Sequence, residues 1–265
     1  MTINYAGSTA LITGASAGLG AEFARELAAR GANLILVARR TDRLDALASE
    51  LTEKHKVTVT TLPADLAKPG AASALAQQIA DRGLDVTTLI NNAGFGTHGE
   101  FLTADPNRVS NEVALNVTAL TDLTRAFYPM LVKHGTGALV NVASTAAFQP
   151  VPLMAVYAAT KAYVLNFTEA LWYEAKGSGL RVLALCPGAT RTEFFEVAGE
   201  NARIGDYQTA EQVVGLAIKT LDRPNAGPSI ISGARNKITA WAERLVSRRA
   251  LVGMSGTLSA RPARG

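Results

Sequence analysis

Short apolar runs rich in β-branched residues recur along the chain at residues 8–13, 33–38, 57–61, 86–90, 138–143, 180–186 and 229–232. Runs such as NLILVA are apolar throughout instead of alternating with polar positions, which predicts strands covered on both faces. Between the runs, apolar residues fall at helical spacing. Leu19, Phe23 and Leu27 recur every fourth residue, and Gly31 follows where a left-handed cap would end that helix. Strand and helix in alternation imply right-handed crossovers, hence an α/β fold with a single doubly wound parallel sheet of about seven strands and helices on both faces. No repeat or break in composition interrupts the pattern before residue 235, so one domain is expected over 1–235, followed by a distinct segment at 236–265.

Composition agrees with one large core: 265 residues, 48% hydrophobic and 18% charged. The single cysteine, Cys186, excludes an internal disulfide and accords with a reducing compartment. The opening residues MTINYAGSTALITG carry no basic leader before a long apolar stretch, so no secretory signal is expected. The most apolar window, residues 139–159, is broken by Asn141, Gln149, Pro150 and Pro152, so no membrane span is expected and the reading is cytoplasmic. The net charge of +4 is unevenly placed: residues 235–265 hold seven basic residues against Glu243 alone, which leaves the preceding body slightly acidic. A nucleic-acid binder would carry its positive charge on the folded body, so that class is set aside.

A doubly wound sheet binds ligands beyond the C-terminal ends of its strands. The first such end reads TGASAGLG, with Gly14, Gly18 and Gly20 between strand and helix. Glycines there allow a sharp turn, close approach of a pyrophosphate and tight helix packing, while the helix N-terminus attracts the anion. That makes the sheet Rossmann-type. The second strand runs out as VARRTDR, where an acid would favour NAD; Arg39 and Arg40 instead offer planar donors suited to the extra phosphate of NADP(H), although Arg40 could equally be a solvated charge at the start of the next helix.

Downstream, YAATK places Tyr157 and Lys161 one helical turn apart on one face. An ammonium ~4 Å from a phenol favours the phenolate by about 4 kcal/mol at an effective dielectric of ~20, some three pKa units, with burial opposing it. On this reading Lys161 makes Tyr157 a usable acid and base at neutral pH.

The ordered set TGASAGLG, Asp65, Asn91-Asn92-Ala93-Gly94, Asn116, Ser144, Tyr157, Lys161 and Pro187-Gly188 resembles the short-chain dehydrogenase/reductase family over roughly residues 5–235. The resemblance implies a carbonyl reductase or alcohol dehydrogenase in which Tyr157 exchanges a proton with the substrate oxygen, Ser144 holds that oxygen, with Thr145 as a fallback donor, and Lys161 also binds the nicotinamide ribose. Asn116 would hold a water relaying protons toward Lys161; its alternative is a helix-bending structural amide. By the same resemblance Gly14, Ser16, Gly18, Leu19 and Gly20 surround the pyrophosphate and adenosine ribose, Arg39 meets the 2′-phosphate, and Asp65 and Leu66 meet the adenine. Asn92, Ala93 and Gly94 would support the far ribose, and Pro187, Gly188, Thr190 and Thr192 would flank the nicotinamide amide. A homodimer or homotetramer is implied too.

Other residues carry less. Cys186 reads as a small core residue. His55, His98 and His134 show no metal-ligand spacing, so no metal is expected, and His98 reads as a loop residue or as part of the cleft mouth. Trp172 and Tyr173 suit either a subunit interface or burial in the monomer. Phe148, Val151, Leu153, Met154, Phe194, Phe195 and Val197 suggest a small apolar carbonyl or alcohol substrate, with Arg191 and Arg203 the cations near enough in sequence to meet a carboxylate. The segment ITAWAERLVSRR sets Ile238, Trp241 and Leu245 on one helical face; such a basic amphipathic helix packs on protein or lies on an anionic membrane, and the chain from about Gly253 is expected to be loose. Two further functional classes are a non-catalytic NADP(H)-binding sensor and a scaffold acting through this tail.

Overall fold

Each apolar run becomes a strand of one parallel sheet in the computed structural model, which describes residues 2–199 and 207–259. The strands are β1 (Thr9–Thr13), β2 (Asn33–Ala38), β3 (Val59–Pro63), β4 (Thr88–Asn91), β5 (Ala138–Val142), β6 (Arg181–Cys186) and β7 (Ser229–Ile231). Their spatial order is β3-β2-β1-β4-β5-β6-β7, so the winding reverses between β1 and β4. The helices are α1 (Gly18–Ala29), α2 (Thr41–His55), α3 (Ala71–Asp81), α4 (Pro106–Val113), α5 (Leu120–His134), α6 (Ala155–Glu174), α7 (Phe194–Ala198), α8 (Ala210–Leu221), α9 (Ala234–Ala242) and α10 (Arg248–Ser259).

The strands are apolar on both sides because both sides are covered. Ala10 and Ile12 of β1 and Leu34 and Leu36 of β2 pack with Phe23 and Leu27 of α1, Leu51 of α2 and Ile218 of α8. The residues between them, Leu11, Ile35 and Val37, pack on the other face with Ile79 of α3 and Phe127 and Leu131 of α5. The third strand starts two residues later than its apolar run suggested. Lys56 ends α2 in the left-handed conformation with φ 58°, and β3 pairs with β2 from Leu34↔Val59 to Ala38↔Pro63. Pro63 is tolerated because β3 is an edge strand.

Two local departures bear on function. Between α4 and α5 the helix widens into a π turn, Ala114–Ala119, around Asn116. At the C-terminus, the chain expected to be loose from Gly253 is instead α10 as far as Ser259. Leu251, Ser255 and Ser259 are buried, and the Ser255 hydroxyl donates to the Pro150 carbonyl at 2.7 Å. The turn at Pro150 and Pro152 thus supplies a docking site that local sequence does not reveal. No helix among the described residues is long and apolar enough to cross a membrane.

Candidate active site

At the reversal point, Thr13 joins two strand ends: its hydroxyl accepts from the backbone N–H groups of Asn92 and Ala93, both at 3.0 Å. The Asn92 amide donates back to the carbonyls of Thr13 at 2.9 Å and Gly14 at 3.2 Å. Gly14 has φ +65°, and a Cβ there would lie 2.8 Å from the Asn92 amide nitrogen. Gly14, Ser16, Gly18 and Leu19 line a cleft of about 1330 Å³. Gly20 does not line it. A Cβ on Gly20 would lie 2.3 Å from the Gly14 carbonyl oxygen, so this glycine lets α1 pack tightly on the loop. The α1 N-terminus has no side-chain cap, which leaves its backbone donors for an anion.

Arg39 and Arg40 line the same cleft, with Asp65 and Leu66 further along. Arg39 is exposed and has no hydrogen-bond or ion-pair partner among the described residues. Arg40 is not a merely solvated charge. Its guanidinium donates to the Ser16 hydroxyl at 3.1 Å and pairs with the Glu193 carboxylate at 2.7 Å. Glu193 also pairs with Arg43, and the two guanidinium groups, Arg43 first, hold its carboxyl below the usual range.

Across the cleft, Tyr157 and Lys161 project from α6, and Ser144 caps the short turn Thr145–Ala147 after β5. All three line the cleft. The Ser144 hydroxyl accepts from the Ala146 N–H at 3.1 Å and lies close enough to the phenol to favour its charged form. The Lys161 ammonium donates to the Val142 carbonyl at 2.7 Å and sits 5.7 Å from the Tyr157 ring centre.

The acid–base balance differs from the expectation that lysine dominates. Burial pushes the Tyr157 phenol up to about 12; the Ser144 hydrogen bond opposes this and the Glu112 charge adds to it. Burial pushes Lys161 down to about 8. Desolvation is the largest cause of both shifts. Tyr157 therefore holds its proton at neutral pH, the state required to protonate a carbonyl oxygen.

Asn116 lies behind this wall, fully buried and off the cleft surface. Its amide donates to the Phe95 carbonyl at 2.8 Å and the Thr160 hydroxyl at 3.1 Å, and its oxygen accepts from the Phe95 N–H at 3.1 Å. These bonds hold the side chain between the Phe95 backbone and α6 at the π turn. Ala93, Gly94, Pro187, Gly188, Thr190 and Thr192 all reach the cleft, as does Asn92.

Of the apolar residues singled out for substrate, Val151, Met154, Phe194, Phe195 and Val197 line the cleft, whereas Phe148 and Leu153 do not. Arg203 lies outside the described residues, and Arg191 stays off the cleft. Sequence reasoning missed Phe95, Tyr207 and Arg108. Arg108 sits 5.2 Å over the Phe95 ring and donates to Thr97 at 3.0 Å and to the Val197 carbonyl at 2.8 Å, pinning α7 over the cleft. Nothing local links residues 108 and 197, so no sequence signal marks that clamp. Cys186 is a buried core thiol raised to about 12 by desolvation. His98 stays off the cleft, while Trp172 is half-buried with its indole N–H donating to the Ala226 carbonyl at 3.2 Å. The described residues contain no group of side chains able to hold a metal.

A glycine-lined crevice at the sheet's reversal point, closed at its far end by a proton-bearing phenol beside a lysine, defines a nicotinamide-dependent oxidoreductase. The chain belongs to the short-chain dehydrogenase family, whose model matches residues 8–203, and it is accordingly an oxidoreductase that interconverts CH–OH and C=O groups. It is 36% identical to a short-chain dehydrogenase from Sphingobium yanoikuyae solved in complex with NADPH, with a TM-score of 0.80 over 97% of this chain and 98% of that one. A bulky-bulky ketone specific alcohol dehydrogenase from Comamonas testosteroni is 33% identical, with a TM-score of 0.75 over 92% of this chain and 98% of the other. The very-long-chain 3-oxoacyl-CoA reductase of Bos taurus is 30% identical over 89% of this chain and 77% of its own length.

Proposed function

We propose that the protein is an NADP(H)-dependent carbonyl reductase whose substrate is a bulky or long-chain apolar ketone. The observation that carries this reading is the shared cleft: Ser144, Tyr157 and Lys161 face the same space as the glycine loop and Arg39. The bound cofactor supplies the hydride. Arg39 and the α1 N-terminus bind its phosphates, and Lys161 orients its ribose. Ser144 holds the substrate oxygen, and Tyr157 delivers its proton to that oxygen as the carbonyl is reduced. Phe194 packs 5.2 Å from the Tyr157 ring and Phe195 packs edge-on against it at 5.3 Å, an aromatic wall that excludes water and favours apolar substituents.

The small substrate expected from sequence gives way here to a larger one, supported by the bulky ketone and 3-oxoacyl-CoA specificities of the relatives. Assembly as a homodimer or homotetramer belongs to the same reading, supported by the exposed Tyr173 on α6. The test is oxidation of NADPH, followed by absorbance, against a panel running from small ketones to bulky ketones and long-chain 3-oxoacyl thioesters. Turnover rising with apolar size supports the proposal; a preference for small polar carbonyls, or for NADH, overturns it.

A further inference from the structure

Helix α9 has two unlike faces. Its inner side, Asn236, Thr239 and Ala240, together with Glu243 in the turn that follows, lines the cleft. Its outer side leaves Ile238 68% and Trp241 64% exposed at i, i+3 spacing, and the apolar stripe continues into the 3₁₀ turn Glu243–Leu245, where Leu245 is 72% exposed. Lys237 beside this stripe and Arg248 and Arg249 just beyond it are exposed, with no carboxylate partner among the described residues. Glu243 is the sole acid between residues 235 and 259, and it turns to the cleft. The outer face therefore shows apolar side chains and positive charge, with no acid of its own segment turned to it.

We infer that this outer face docks on an anionic phospholipid surface, with Ile238, Trp241 and Leu245 entering the headgroup boundary and Lys237, Arg248 and Arg249 meeting lipid phosphates. Charge selects this occupant over a second copy of the chain. A two-fold contact sets a patch against itself and would oppose like charges around the stripe. An anionic bilayer instead offers both an apolar boundary for the indole and counter-charge for the bases. Docking in this way sets the α9 side of the cleft at the lipid surface, a direct entry for apolar molecules dissolved there.

The experiment is co-sedimentation of the full chain with vesicles of pure phosphatidylcholine and of phosphatidylcholine with phosphatidylglycerol. Alongside it, the molecular mass in solution is measured. The expected result is binding to the anionic vesicles that falls at least about tenfold on neutral ones and in high salt. Ile238→Ser/Trp241→Ser/Leu245→Ser should abolish it, and each of Lys237→Gln, Arg248→Gln and Arg249→Gln should weaken it about fivefold. These side chains are solvent-exposed, so the variants keep their circular dichroism and mass. Absence of anionic-vesicle binding, or equal binding by the triple variant, overturns the inference. So does a triple variant that loses oligomer mass, which would assign the face to a second copy.

Discussion

The two ends of the cleft handle charge in opposite ways. At the chemical end, Tyr157 and Lys161 are 9% and 5% exposed, and burial moves the phenol to about 12 and the ammonium to about 8. At the other end Arg39, Arg40, Arg43 and Glu193 lie near the surface, and Arg40, Arg43 and Glu193 interact through ion pairs and hydrogen bonds within reach of water and salt. The buried end uses desolvation to set which group carries a proton, and this is a property of rate. The exposed end offers donors to an incoming phosphate, which is a property of affinity and is screened by ions. Substitutions at the two ends should therefore fail in different measurements.

The largest effect expected is at the phenol. Tyr157→Phe should lower kcat by roughly 10²–10⁴-fold while NADPH affinity, read by fluorescence titration, stays within about threefold. Full turnover in that variant would remove Tyr157 as the proton donor. Lys161→Met sharpens the contrast, because it should lose activity yet gain thermal stability. Burial of the ammonium costs about 3 kcal/mol for the drop from 10.5 to about 8, offset by about 1 kcal/mol for the lost bond to Val142, a net gain of ~2 kcal/mol at pH 7. The sign follows from the proton count. Below pH 8 both native and unfolded wild type are protonated, so the penalty is fully present; between about 8 and 10.5 only the unfolded chain keeps the proton, and wild-type stability rises with pH. The advantage of the methionine variant should shrink across that window in denaturant titrations, and a pH-independent difference would contradict the buried ammonium.

Smaller effects belong to the exposed end. Arg39→Ala should weaken NADPH about 10- to 100-fold and NADH less than about threefold, since a charge-assisted pair with a phosphate contributes about 1.5–3 kcal/mol. Equal losses for both cofactors would place the 2′-phosphate elsewhere. Glu193→Gln releases Arg40 and Arg43 and should tighten NADPH by about two- to fivefold at low salt, with the gain disappearing near 1 M salt. A gain that survives high salt would mean that Glu193 acts through the position of α7 and not through charge.

Much of the site was legible because its residues stand at the ends of strands that the apolar pattern already located. Gly14, Asn92, Ser144 and Pro187 each follow a run, so their convergence at one edge of the sheet follows from parallel winding. What the motifs left open has a common character. Gly20 and Asn116 share a motif with true cleft residues, yet one faces a backbone carbonyl and the other the backbone of Phe95; motif membership does not say on which side of the wall an atom lies. Arg40 was left open as a solvated charge because its partner, Glu193, is 153 positions away.

By itself the amino-acid order determined the parallel sheet, the glycine turn and the pairing of Tyr157 with Lys161, since these depend on periodicity and on spacings of one helical turn. The folded structure alone decided that desolvation is the largest influence on the phenol, that Arg108 reaches across to α7, and that residues 253–259 dock as part of a helix. Those outcomes depend on which distant groups exclude water from a given atom, and solvent exclusion is a property of three-dimensional neighbours that no local stretch of sequence carries.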